Sequence, residues 1–192
     1  MVGRVIAIGC STGGPRALKT IIPSLPADFP AAILIVQHMQ KSHTQQLAMQ
    51  LDRLSPLEVK EAEAGDRILA GRVLLAPGGL HMVAGMGKRV TLLDTEPINF
   101  VKPSADLLFE SVAAVYHERS IGVILTGIGC DGARGARCIR TAGGRIIAED
   151  PSTCAVFGMP KAVIDDHLAH EVRPLQHIAL RLKSLSKPMS GC

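Results

Sequence analysis

The sequence predicts a three-layer α/β/α domain on a doubly wound, mostly parallel sheet, with an antiparallel edge or hairpin in the middle of the chain. Short β-rich apolar runs alternate with segments of helical period throughout the 192 residues, as successive βα units require. The composition is 47% hydrophobic but only 3% aromatic, with no Trp, so the core must be aliphatic, as in parallel sheets covered on both faces. Between residues 57 and 97 the pattern changes to short apolar runs broken by Gly and Pro, which suits hairpins.

Each element has its own local reason. Residues 5–8 are a strand of four apolar side chains, and residues 15–24 a helix with Pro15 in its first turn, where no hydrogen bond is lost. Residues 32–37 form a second strand. Ser42 is placed to cap a helix reaching Leu54, with Leu47, Leu51 and Leu54 on one stripe. Runs at 73–75, 82–83 and 90–93 supply the short strands of the middle region. Ser104 is placed to cap a helix that turns Leu107, Leu108, Val112 and Val115 inward. A buried strand at 121–125, a helix at 132–141, a strand at 145–148 and helices at 157–164 and 175–185 complete the chain. The length suits one domain over residues 1–192, with 186–192 a frayed tail.

Bulk properties narrow the function. No apolar run approaches the roughly 20 residues that cross a bilayer. The apolar segment after Arg4 is also shorter than the roughly 7–15 residues of a leader's core, so a cytoplasmic protein with no membrane insertion is expected. Five cysteines without a C-x-x-C pair argue against both a disulfide framework and a zinc site. The net charge of +4 is mild and its basic residues are scattered, which gives nucleic-acid binding no support. His43, His81, His117, His167, His170 and His177 lack metal-ligand spacing and read as surface or packing residues.

Chemistry concentrates where strands end, since sites of doubly wound sheets gather at their carboxyl ends. Gly9-Cys10-Ser11-Thr12-Gly13-Gly14 follows the first strand as a G-x-S-x-G pattern in a strand–turn–helix setting. Gln37-His38-Met39 follows the second strand, and 126–132 follows the strand at 121–125. A serine hydroxyl is a poor nucleophile until a base takes its proton, and the base needs a carboxylate to fix its tautomer. Ser11, His38 and Asp131 supply one of each. Taken singly they have plainer readings: a helix cap, a structural histidine and a turn residue. Cys10 and Cys130 beside them read as small packing residues.

Gly127-x-Gly129-x-x-Gly132, with Asp150 eighteen residues beyond, has the layout of a dinucleotide-binding turn. Asp131 would lie where the pyrophosphate should be and would repel it.

At these residues the chain resembles the catalytic domain of the CheB family, the chemotaxis protein-glutamate methylesterases and glutamine deamidases. The resemblance is carried by Ile8 to Pro15, Gln37-His38-Met39, Ala76-Pro77-Gly78-Gly79-Leu80-His81-Met82, Lys102-Pro103-Ser104-Ala105-Asp106, Ile124 to Gly132 and Phe157-Gly158-Met159-Pro160, in family order across nearly the whole chain. It implies hydrolysis of γ-glutamyl methyl esters on the cytoplasmic helical bundle of methylated chemoreceptors, with Ser11 as nucleophile, His38 as base and Asp131 as orienting acid. N–H groups at Thr12 and Gly13, and secondarily at Ile128, are the candidate oxyanion donors, and no cofactor or metal is implied. The family has Ala, Met and Arg where this chain has Cys10, Ile128 and Lys102; a lysine at the last position loses the two-pronged carboxylate grip of a guanidinium, which weakens a substrate-site role there. Family members carry a phospho-acceptor receiver domain ahead of the catalytic part. Here the first strand begins at once, which leaves two readings, a natural stand-alone esterase or one from which a receiver domain was removed; a separate phosphorylation-dependent regulator is a partner compatible with the first. The alternatives are a non-catalytic receptor-binding module and the dinucleotide-binding domain.

Overall fold

A computed structural model describes residues 3–187. Seven strands form one sheet: β1 (Arg4–Cys10), β2 (Ala31–Gln37), β3 (Glu58–Glu61), β4 (Arg72–Leu75), β7 (Ser120–Ile124), β8 (Arg145–Glu149) and β9 (Glu171–Arg173). Their order is β3-β4-β2-β1-β7-β8-β9, and every neighbouring pair is parallel. The remaining two strands, β5 (His81–Gly85) and β6 (Arg89–Leu93), make a separate antiparallel hairpin. The chain thus builds outward from β1 on one side, through β2 and β4, and on the other through β7, β8 and β9. The carboxyl ends of β1 and β7 flank the point where this direction reverses, where a doubly wound sheet leaves its crevice.

Side-chain alternation on the central strands sorts the core into two layers. Val5 and Ala7 of β1, with Ala32, Leu34 and Val36 of β2, pack under α3 (Ala105–Tyr116), α4 (Ala133–Thr141), α5 (Met159–Asp165) and the hairpin. Ile6, Ile8 and Cys10, with Ala31, Ile33 and Ile35, pack under α1 (Gly14–Ile21), α2 (Lys41–Leu54) and α6 (Leu175–Ser186). The expected three-layer arrangement is therefore observed, with an aliphatic interior. Among the described residues no helix is long and apolar enough to cross a membrane.

Several local expectations need correction. The middle region is only partly hairpin, because β3 and β4 extend the parallel sheet. Helix α2 starts at Lys41 after Gln40, so Ser42 lies inside it, and no side chain caps its amino end. Leu47 and Leu51 are buried, but Leu54 is 55% exposed where the helix ends and the chain turns toward β3. Helix α3 buries Leu108, Phe109, Val112 and Tyr116, while Leu107 and Val115 are half-buried. Helix α5 starts at Met159 rather than 157. Strand β9 was not expected: three half-exposed or exposed residues carry no apolar pattern. Ser186 is a buried part of α6 and not frayed tail; residues 188–192, with Cys192, lie outside the described residues.

Candidate active site

Residues Cys10 of β1 and Gln37 of β2 are partners in the parallel register, so Ser11 and His38 leave the sheet side by side. The His38 N–H donates to the Cys10 carbonyl at 3.0 Å, which continues the ladder one residue past the strand. The Gln37 amide braces this corner: its Nε2 donates to the carbonyls of Ser11 at 2.9 Å and His38 at 3.0 Å, while its Oε1 accepts from the Cys10 thiol at 3.1 Å. On the other flank the Ser11 N–H donates to the Thr126 carbonyl at 3.0 Å.

Helix α1 begins immediately after this turn because Gly13 takes φ 86, a left-handed conformation that a side chain would oppose. The left-handed residue is thus Gly13, two positions after the serine, rather than Ser11 itself. Gly127 allows the post-β7 loop to press on the same turn: a Cβ there would lie 2.7 Å from the Ser11 Cβ.

His38 Nε2 donates to Asp131 Oδ2 at 2.8 Å. Asp131 is almost fully buried, and its carboxylate is saturated. Oδ2 also accepts the Ala105 N–H at 2.6 Å, and Oδ1 accepts the Ser104 hydroxyl at 2.8 Å and the Asp106 N–H at 3.1 Å. Burial alone would push this carboxyl up, but the hydrogen bonds from His38, Ala105, Asp106 and Ser104 outweigh it and hold it below the usual range. It is ionised at neutral pH.

Asp106 sits just behind. Its Oδ1 accepts the Gly132 and Gly135 N–H groups at 2.9 and 2.8 Å, which closes the first turn of α4 with a carboxylate. Burial and the neighbouring Asp131 charge push Asp106 up, against these bonds. That closure leaves no room for a pyrophosphate on the same N–H groups, and Asp150 is committed to Ser152 in its own turn.

The backbone N–H groups of Thr12, Gly13 and Ile128 have no protein acceptor among the described residues. Lys102 is drawn elsewhere: its ammonium pairs with Asp94 at 2.6 Å and bonds neither His38 nor Asp131. Cys10 is fully buried and its thiol is pushed up, first by burial and then by Glu149, whereas Cys130 is exposed. Among the described residues no three His, Cys, Asp or Glu side chains converge where a metal ion could be held.

Sequence reasoning missed three participants. Ser104, expected as a helix cap, spends its hydroxyl on Asp131, and the first N–H groups of α3 do the same. His81, fully buried, accepts the Ser104 N–H on Nδ1 at 3.1 Å and so fixes that residue. Gln37, the first residue of Gln37-His38-Met39, has no task readable from the sequence, yet its amide braces the corner. The available signal was Lys102-Pro103-Ser104-Ala105-Asp106 ahead of an apolar helix, which marks a helix start whose N–H groups need a carboxylate.

Comparison with known proteins identifies the family. A model of the family described as CheB methylesterase matches residues 6–182. A Symbiobacterium thermophilum protein named protein-glutamate methylesterase/protein-glutamine glutaminase is 53% identical over 176 residues, covering 92% of this chain and 49% of that protein. A Thermotoga maritima protein of the same name is 47% identical over 186 residues, covering 95% of this chain and 54% of that one. The chain therefore spans about half the length of the curated relatives it matches. The crystal structure of the Thermotoga maritima CheB methylesterase catalytic domain superimposes with a TM-score of 0.93 at 45% identity, covering 96% of this chain and all of that one. With a sheet-end serine, a histidine–carboxylate pair and this likeness along nearly its full length, the chain belongs to the CheB methylesterase family.

Proposed function

We propose that this chain hydrolyses γ-glutamyl methyl esters on the cytoplasmic helices of chemoreceptors, and deamidates receptor glutamines, through Ser11, His38 and Asp131. The observation that carries the reading is the 2.8 Å bond from His38 Nε2 to buried Asp131, formed beside the register pair from which Ser11 and His38 both emerge.

With Nε2–H committed to the carboxylate, Nδ1 is the lone pair left to accept the Ser11 proton. Ser11 Oγ attacks the ester carbonyl, and the oxyanion of the tetrahedral intermediate lies against the unoccupied N–H groups near Thr12 and Gly13, with Ile128 a second source. The imidazolium is stabilised by Asp131. It returns the proton to the methoxy oxygen as the C–O bond breaks, so methanol leaves and a glutamyl ester of Ser11 remains. Water, deprotonated by the same histidine, then cleaves that ester to the glutamate carboxylate and free serine. Deamidation follows the same course with ammonia as leaving group. Lys102, held by Asp94, contributes charge to the rim and does not grip the substrate carboxylate.

The test is Ser11→Ala. Methanol release from a methylated receptor fragment should vanish while the circular dichroism spectrum and melting temperature stay those of wild type. A wild-type protein that binds the fragment without releasing methanol would instead make this a receptor-binding module.

A further inference from the structure

We propose that Phe100 is an aromatic anchor on which the receptor helix rests while its glutamyl group reaches Ser11; the inference rests on the esterase reading above. The chain has four Phe, one Tyr and no Trp, and Phe29 and Phe109 are buried in the core with Tyr116, while Phe157 is half-buried. Phe100 is fully exposed. It follows Asn99 in a tight turn where both residues take left-handed backbone, φ 50 and 64. A bulky side chain there opposes the local conformation, and its exposed ring returns no packing to the fold. The fold alone gives no reason for a phenylalanine at this point.

The turn is nevertheless held firmly. Ile98 and Val101 exchange N–H···O bonds of 3.1 and 3.0 Å across it. Asn99 Nδ2 donates to Asp106 Oδ2 at 3.2 Å, the carboxylate whose other oxygen accepts the Gly132 N–H next to Asp131. Asn99 and Cys130 also line one open cavity of about 490 Å³. Four residues after Phe100, Ser104 bonds Asp131 directly. The ring is thus mounted on a rigid turn referenced, by two short paths, to the carboxylate that orients His38.

The occupant follows from the size of the substrate. A glutamyl side chain has two methylenes, whereas a helix with its side chains is about 10–12 Å across. A helix that delivers its ester carbonyl to Ser11 must lie against whatever rims the site. Charge at the turn suits a helix carrying glutamates: two residues after Phe100, the Lys102 ammonium, held at 2.6 Å by Asp94, presents a cation beside the ring.

The full chain should be assayed with a methylated chemoreceptor helical fragment and, separately, with p-nitrophenyl acetate as a small ester. Phe100→Gly fits the left-handed backbone, so its melting temperature should equal or exceed that of wild type. Its KM for the fragment should rise roughly tenfold with kcat unchanged, its small-ester hydrolysis should be unaltered, and Phe100→Trp should restore the KM. An unchanged KM in a wild-type background that releases methanol overturns the anchor and leaves the esterase reading standing. Parallel loss on the small ester also overturns it, because Phe100 would then act through the site's geometry. Absence of methanol from wild type removes both.

Discussion

His38 meets Asp131 through Nε2, at 2.8 Å, which leaves Nδ1 as the ring nitrogen not engaged by the acid. This inverts the usual assignment, in which Nδ1 faces the acid. His38 leaves the sheet one residue after a β2 position registered with β1, and the Asp131 carboxylate sits at the amino end of α3, on the N–H groups of Ala105 and Asp106. Nε2, the farther ring nitrogen from the backbone, is the one that reaches the buried carboxylate.

Asp131→Asn should keep the volume and lose the chemistry. Whichever way the amide turns, two of the four donors that converge on Asp131 would face an NH2, and the negative charge beside the imidazole would be gone. Methanol release should fall by about four orders of magnitude, the loss expected when an orienting acid becomes an amide. A fall of less than tenfold would remove Asp131 from the relay.

The same carboxylate shapes acid stability. Its folded pKa lies below its unfolded value near 3.9, so it adds stability above that value and loses it as pH falls through the lower, folded one. The melting-temperature gap between wild type and Asp131→Asn should therefore be constant from pH 5 to 8 and narrow below about pH 4. Measuring the gap, rather than wild type alone, cancels the acids that do not feel Asp131, which leaves Asp106, pushed up in part by the Asp131 charge, as the one neighbour that contributes.

Glu149 has the opposite sign. This fully buried carboxylate is pushed up by burial, against bonds from the Thr126 N–H, the Thr153 hydroxyl and Cys154. A raised folded pKa means a cost present at high pH and relieved as pH falls toward the unfolded value. Glu149→Gln should be more stable than wild type near pH 8, with the advantage shrinking on acidification in calorimetric scans. A growing advantage on acidification would reverse the assignment.

Much of this site was legible in the chain because strand ends announce themselves: the apolar runs before Ser11, His38 and 126–132 stop abruptly at Gly or polar residues. The remainder was hidden for physical reasons. Strand β3, Glu58–Glu61, is a polar edge whose only fully apolar residue is Val59, and β9 is three residues long; neither needs a hydrophobic pattern because neither is covered on both sides. Ser104 looked like a cap since the same residue type serves caps and carboxylates alike. The Asn99–Phe100 turn could not be read at all, because left-handed backbone at non-glycine residues leaves no compositional mark.

The cysteines divide by environment. Cys130 is exposed beside Asp131, Cys154 is pushed up to about 12, chiefly by burial and then by Glu149 and Asp150, and Cys10 is sealed against Gln37 with its thiol held still higher. Iodoacetamide at pH 8 should alkylate Cys130 in the folded protein, while Cys10 reacts only after unfolding, as peptide mass mapping would report. Early modification of Cys10 would mean that the corner around Gln37 opens in solution.

Gly127→Ala tests how tightly the serine is seated. The added methyl group would stand 2.7 Å from the Ser11 Cβ and 3.0 Å from the Ser11 nitrogen, and it would also strike the Met159 sulfur. Met159 is flexible and can yield, but Ser11 is tied by its N–H to Thr126 and by its carbonyl to Gln37, so the clash is relieved by moving the turn as a body. A displacement of about 1 Å at a nucleophile costs roughly a hundredfold in rate. The variant should therefore fold, with a melting temperature within a few degrees of wild type, and lose about that factor in kcat on receptor and small ester alike. Equal loss on both substrates separates this from Phe100, where only the receptor should notice; an unimpaired kcat would mean that Ser11 tolerates far more movement than its bracing implies.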